Sequence, residues 1–462
     1  MSALPLPGRP QFPFHVGHKD VWRIALPACL AFITEPVAGL IHTTVIGRLG
    51  DAGMIAGISM GAVAFNILFT LAFFLRFGTA GLTAQAVGAQ DPRDGLVHLA
   101  RAMLIALLLS ALVLALSTPL LALLVEWLRP PGTSLAPFQD YVRMRIWSIP
   151  LVLINFVLLG WFYGRGKATT GMALQLAING VNTVFSLLLV SLWGWGVEGL
   201  ALAKIFGEAA AAAIGIALVL RHYGGLRRLF TATSLPEITD GAGMRRMLGL
   251  SRDLMIRSLA LNAAMTLFMT GAGRSGETVL AAIGVLMQMV SVTTFLLDGV
   301  ATAVEQLCGR AIGGNWLPAF RRALKLSMLW GAVIGLGLFV FMLGFGGVII
   351  DAISTSAEVR ASARDYLIMA ALFPLIGMAA FIYDGAMIGA TLNQVMRNGM
   401  LMSLGIFLIA FLLLPPMIGI WGLWIAMHLM LLARAAIYST LLERLMPVLF
   451  DPPAPDKKRE QS

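Results

Sequence analysis

Residues 78–90 read GTAGLTAQAVGAQ, and residues 299–311 read GVATAVEQLCGRA. At a constant offset of 221 residues, Gly78 meets Gly299, Ala80 meets Ala301, Gln85 meets Gln306 and Gly88 meets Gly309; further on, Arg101 meets Arg322. Weak similarity that holds its register without a gap marks an internally repeated chain. Each copy lies at the end of a long apolar stretch, so the repeated unit is a set of membrane-crossing segments.

The composition agrees. Of 462 residues, 58% are hydrophobic and 12% charged, whereas soluble domains are about one quarter charged; mean hydropathy is +0.85. A helix that crosses a bilayer needs about 20 mostly apolar residues. Twelve stretches qualify, beginning near Val21, Met54, Leu96, Tyr141, Gly171, Glu198, Met247, Thr278, Pro318, Arg360, Val395 and Trp421. None alternates as a barrel strand does. The predicted fold is therefore an all-α polytopic membrane protein, with twelve transmembrane helices in two pseudo-symmetric six-helix lobes.

Because an even number of spans separates the copies, both halves enter the membrane in the same sense, which makes the repeat parallel, with its axis along the bilayer normal. Residues 1–220 and 247–450 are the expected lobes, 221–246 a cytoplasmic linker and 451–462 a cytoplasmic tail. Two such lobes facing each other enclose a cleft. Residues 1–20 carry four prolines and no apolar run of signal-peptide length, so the first span is expected to act as its own insertion signal.

The net charge of +10 follows from the positive-inside rule, with Arg227, Arg228, Arg245 and Arg246 in the linker and both termini cytoplasmic. No nucleic-acid partner is needed to explain it. Cys29 and Cys308 lie in apolar segments with no His or Cys at ligand spacing and read as packing residues, so neither a disulfide nor a metal site is expected. The sequence has no phosphate loop, no HExxH and no convincing nucleophilic triad. It therefore reads as neither an enzyme nor an ATP-driven pump, and no cofactor is implied.

Four stretches are more specific: FLRFGTAGLTAQAVGAQ (74–90), SRDLMIRSL (251–259), LLDGVATAVEQLCGRAIG (296–313) and YDGAMIGATLNQVMRNGM (383–400). They resemble the multidrug and toxic compound extrusion (MATE) family in its DinF-like branch, and the likeness runs over essentially all spans. The resemblance implies an antiporter in the inner (cytoplasmic) membrane of a bacterium; a monomer is the expected state. It would export small organic molecules, amphipathic cations foremost, in exchange for protons or sodium ions, through a cavity between the lobes.

Charge within a bilayer is costly, so ionisable residues inside the spans are functional candidates by default. Glu35 and His42 lie seven residues apart, about two helical turns and roughly 10 Å, and so share one face as separate stations. Pro36 removes a backbone bond and favours a kink beside the acid. By the resemblance, His42 and Ser186 stand where aspartates are usual, while Asn179 and Asn182 are retained; Glu35 and His42 are therefore expected to take over coupling. The alternative is a static pair of Glu35 with Arg76 and a neutral His42. Asp298 and Glu305 repeat the spacing and match the family's DGxAxAxE pattern, with Phe77 and Ala84 as counterparts in the first lobe; a static network with Arg257 is their alternative. Asp384, in YDGAMIGAT, is a further cation station or a hydrogen-bonded helix end.

Lys204 with Glu208, and Asp253 with Arg257, stand four apart and are expected to form structural charge pairs. Arg76, Lys204 and Arg257 are the basic residues expected in the cleft. Arg76, Asn155, Asn179, Asn182, Met287, Gln288 and Met289 are expected to line the substrate cavity, where thioethers suit varied cargo, with ordinary helix packing as the alternative. The leading expectation is proton-coupled export, in which neutralised acids permit the lobes to close. Sodium coupling at Asp298 and Asp384, flipping of lipid-linked substrates, and a non-transporting receptor or scaffold are the alternatives.

Overall fold

The structure, a computed structural model, describes residues 10–47, 51–225, 227–228, 231 and 233–450. The tail expected at 451–462 lies outside them. Regular structure is helical throughout, and no strand occurs among the described residues.

Twelve helices there are long and apolar enough to cross a membrane: His18–Gly39, Ala52–Gly88, Pro92–Ala115, Gly132–Gly164, Ala168–Leu192, Val197–Tyr223, Leu235–Gly273, Glu277–Gly313, Leu317–Ile353, Ala357–Gly389, Asn393–Ile418 and Ile420–Phe450. They are called spans one to twelve below. Their number is the one hydropathy predicts. Most begin a few residues earlier than the apolar stretches, because a helix continues into its polar flank until a cap or a glycine stops it. Asp51 accepts from the N–H groups of Gly53 and Met54 at the start of span two, and Ser356 accepts from Val359 at the start of span ten. These side chains satisfy amides that a helix start leaves open. Gly224, at φ 77°, closes span six in the left-handed conformation that glycine adopts without strain.

The chain folds into two compact units. The carboxyl unit comprises the chain up to Cys29, residues Ala84–Asp91, and everything from Gly249 onward; the amino unit comprises Leu30–Thr83 and Pro92–Leu248. In the carboxyl unit, Phe268, Leu286, Phe407 and Trp424 are fully buried in one apolar core. Phe268 meets Trp424 edge to face at 5.0 Å, a preferred aromatic geometry.

Between lipid-embedded helices the hydrophobic effect is weak, and small residues that permit close approach take over the packing. A Cβ at Gly385 would lie 2.3 Å from the Ala301 carbonyl oxygen, and one at Gly164 would lie 2.5 Å from that of Ala80. Gly164 and Gly385 differ by 221 positions, as do Ala80 and Ala301, so each unit holds the same helix crossing. The repeat is one of packing as well as letters.

The two stretches that reveal it also touch each other within the carboxyl unit. Gly88 packs on the Arg310 carbonyl and Gly313 on the Gln85 carbonyl. Gln85 Nε2 donates to the Gly389 carbonyl at 2.9 Å and to Thr391 Oγ1 at 3.2 Å.

Gly164→Ala and Gly385→Ala are each expected to lower stability by about 1–3 kcal/mol through overpacking. Gly78→Ala, with no atom within 4 Å of the added methyl, should be neutral or slightly stabilising. Thermal unfolding of the purified variants in detergent tests this. Equal midpoints for all three would remove the shared crossing as a packing constraint.

Candidate functional site

The amino unit holds more charge than the sequence pattern assigns to it. Arg76 in span two is 8% exposed, and its guanidinium stacks over the rings of Phe77, Phe32 and Tyr163 at 4.9, 5.0 and 5.2 Å. Arg145 in span four is 7% exposed and lies over Phe65 and Phe69 at 5.2 and 5.5 Å, with Tyr141 at 6.0 Å. A desolvated guanidinium gains about 2 kcal/mol from an aromatic face, and such cages offset part of the cost of burial. Arg145 is a buried cation of span four, in addition to the three named from the sequence, Arg76, Lys204 and Arg257. It stands two positions after Arg143, which is exposed.

Around these cations lie the predicted titratable groups. Lys204 is within electrostatic range of Arg145, Glu208 and Glu35, and His42 within range of Lys204 and Arg145. Glu35 lies in range of Lys204 and Arg76, yet has no hydrogen bond or ion pair among the described residues and keeps an exposed surface. His42 is half-buried, and its Nε2 has no hydrogen-bond partner. Lys204 and Glu208 do not form an ion pair; Asn155 instead donates its Nδ2 to Glu208 Oε2 at 2.7 Å and to the Glu208 carbonyl at 2.9 Å.

Asn179 Nδ2 donates to Thr34 Oγ1 at 2.8 Å, one residue before Glu35. Asn182 and Ser186 are buried together, with the serine hydroxyl 3.4 Å from Asn182 Oδ1. The first helix runs unbroken through Pro36. Directly after Ser186, span five widens into a π-helical turn over Leu187–Leu192, a distortion often found at functional positions.

In the carboxyl unit the acids are arranged differently. Asp384 is 5% exposed and is gripped by two guanidiniums, hydrogen-bonding to Arg257 and lying 3.7 Å from Arg434 Nη2. Arg434, 2% exposed in span twelve, is a second buried cation absent from the sequence-based expectation. Its signal was a lone charge in the apolar run LWIAMHLMLLARAAIY (423–438). Asp253 and Arg257 do not pair with each other: Asp253 takes Arg397 at 2.7 Å and Arg252 at 3.3 Å.

Asp298 is half-buried and Glu305 buried on the same helix. Met289 belongs to the apolar core, Met287 packs against it and Gln288 is exposed, so three consecutive residues serve three surroundings. Both cysteines are free and buried; Cys29 Sγ donates to the Leu296 carbonyl at 3.2 Å.

Comparison with known proteins adds independent constraints. The MatE family model matches residues 27–188 and 254–391. The chain is 34% identical over 430 residues to DNA damage-inducible protein F of Escherichia coli, with 92% of each chain covered. It is 30% identical over 390 residues to a probable multidrug resistance protein NorM of Deinococcus radiodurans, covering 80% of this chain and 82% of that one. Among solved structures, a MATE protein in complex with MaD3S superposes with a TM-score of 0.83 at 17% identity, covering 94% of this chain and 96% of that one. A MOP superfamily transporter from Pyrococcus furiosus, described for a binding pocket of reverse polarity, superposes with a TM-score of 0.82 at 17% identity, covering 93% of this chain and 96% of that one. At such identities the structural likeness speaks for the fold.

Removing one partner of a buried ion pair leaves an uncompensated charge and costs about 3–5 kcal/mol. Asp384→Asn, which keeps the shape and loses the charge, should therefore lower the unfolding midpoint strongly, and Asp384→Asn with Arg434→Met should recover part of the loss. A single variant melting with the wild type would mean that the Arg257–Asp384–Arg434 cluster holds nothing together.

Proposed function

The chain belongs to the MatE family, and from that premise we propose that it is a proton-coupled antiporter of a bacterial inner membrane. Its cargo would be small amphipathic organic compounds, exported by alternating access. Members of the family are secondary efflux transporters and not enzymes. The positive-inside bias supports both termini on the cytoplasmic side.

The observation that carries proton coupling is the contrast between Glu35 and Asp384. Glu35 is accessible and unpaired among the described residues, whereas Asp384 is already compensated by two arginines. Burying an ionised carboxylate costs several kcal/mol, and its protonated form costs much less. A state that closes apolar surface over Glu35 therefore favours the protonated acid, which links closure to the proton gradient. Asp384 has no such need. The same contrast weighs against a sodium site at Asp384, because a hard cation requires carboxylate oxygens free to coordinate it. His42 and the half-buried Asp298 serve as further proton stations in this reading.

Amphipathic cations are the cargo that the accessible Glu35 carboxylate favours. A second reading of the cargo rests on Arg145 and Lys204: these two cations lie near each other with Glu208 as the acid in range of both. That balance favours anionic amphiphiles.

Glu35→Gln is expected to reduce pH-gradient-driven efflux from proteoliposomes at least tenfold while leaving cargo binding in place. Cationic and anionic dyes, run in parallel under proton and sodium gradients, separate the readings of ion and cargo. Full-rate pumping by Glu35→Gln, or transport driven by sodium alone, would overturn proton coupling at this residue.

A further inference from the structure

The repeat places one residue in two surroundings. Arg101 and Arg322, 221 positions apart, stand near the starts of spans three and nine. In the amino unit the Arg101 guanidinium is ringed by oxygen: Nη2 donates to the Glu237 carbonyl at 2.6 Å, Nε to the Ile238 carbonyl at 3.2 Å, and the Asp240 carboxylate lies at 3.8 Å. All three oxygens come from the first residues of span seven, just after the end of span six. In the carboxyl unit Arg322 is exposed and makes no hydrogen bond or ion pair among the described residues. The chain supplies an oxygen shell to one copy and leaves the other open.

Arg322 opens instead onto a cavity of about 440 Å³ walled by Pro13, Phe14, His15, Val16, Trp316 and Pro318. The wall is part of the fold. Phe12 N–H donates to the Gly314 carbonyl at 2.8 Å, and the Arg310 guanidinium rests on the Phe14 ring at 4.1 Å.

The surroundings are those of a membrane–water interface. Trp330 donates to His18 Nδ1 at 3.1 Å and packs edge-on against Trp22 at 5.0 Å, and tryptophans gather at headgroup level. Lys19, Arg23, Arg321 and Lys325 add exposed positive charge. The nearby acid, Asp20, accepts from Gly17 N–H at 2.8 Å. Below Arg322 and Lys325, the same face of span nine continues with exposed Leu329, Val333, Leu336 and Val340, at the three- and four-residue spacing that aligns side chains along one side of a helix.

We propose that this cavity binds the phosphate of an anionic phospholipid headgroup. Arg322 is its principal ligand, and an acyl chain lies along the Leu329–Val340 stripe. Phosphate oxygens complete around Arg322 the shell that the linker provides around Arg101. A free phosphate would satisfy the arginine alone; the apolar stripe directly beneath it favours a lipid, and basic pockets beside transmembrane helices are suited to such headgroups.

The test is a lipid titration of the full-length protein in neutral detergent, read by native mass spectrometry and by the thermal midpoint. Phosphatidylglycerol should bind and raise the midpoint, whereas phosphatidylcholine and inorganic phosphate should do neither. Each removed basic residue should weaken binding about fivefold, so Arg322→Gln and Arg322→Gln with Lys325→Gln fall in steps. Arg322→Lys should bind between wild type and Arg322→Gln, and Arg227→Gln, an exposed arginine of the amino unit, should bind as wild type. Equal binding of phosphatidylcholine, undiminished binding by Arg322→Gln, or an equal effect of inorganic phosphate would each overturn the proposal.

Discussion

An ionised side chain in a low-dielectric interior must be compensated, and this chain satisfies that constraint in three ways. Asp384 is compensated by direct pairing with Arg257 and Arg434. Arg76 and Arg145 are held on aromatic faces, where the ring quadrupole replaces part of the lost hydration. Glu35 keeps an exposed surface and has no ion pair among the described residues, so no fixed partner compensates its charge. Only the third arrangement is reversible at low cost, which is why the coupling role proposed above is given to Glu35 although Asp384 carries the better family motif.

Close helix packing sets where these charges sit. Gly385 on Ala301 and Gly389 on Glu305 press span ten against span eight, fixing the depth of Asp384 beside Arg257. Gly164 on Ala80, with Gly160 on Arg76, does the same for spans four and two. The backbone of Arg76 is therefore part of a helix crossing while its side chain reaches the cage of Phe32, Phe77 and Tyr163. Packing and electrostatics act here through the same residues. The divergence between the two copies, with Ala84 opposite Glu305 and Phe77 opposite Asp298, explains how one scaffold carries two different charge arrangements.

The buried cations show where reading the sequence stops. Arg143 and Arg145 are two residues apart in the same run, and nothing in their spelling separates them. Two positions on a helix face nearly opposite directions, so one is exposed and the other buried. Similarly, Asp253 and Arg257 have ideal spacing for a pair on their own helix, yet each finds a partner on another helix, Arg397 and Asp384. Local spacing states which pairings are permitted. Competition from neighbouring helices decides which are made.

The sequence by itself determined the number of membrane-crossing helices, their repeat and the family, because bilayer thickness and backbone hydrogen bonding leave a long apolar segment few choices. It also named most of the charged residues, since charge is rare enough in such segments to be conspicuous. Only the tertiary structure decided which of those charges are paired, caged or open, and which of two equivalent arginines lacks an oxygen shell. Those outcomes depend on distances between side chains remote in sequence, and a one-dimensional pattern carries no such distances.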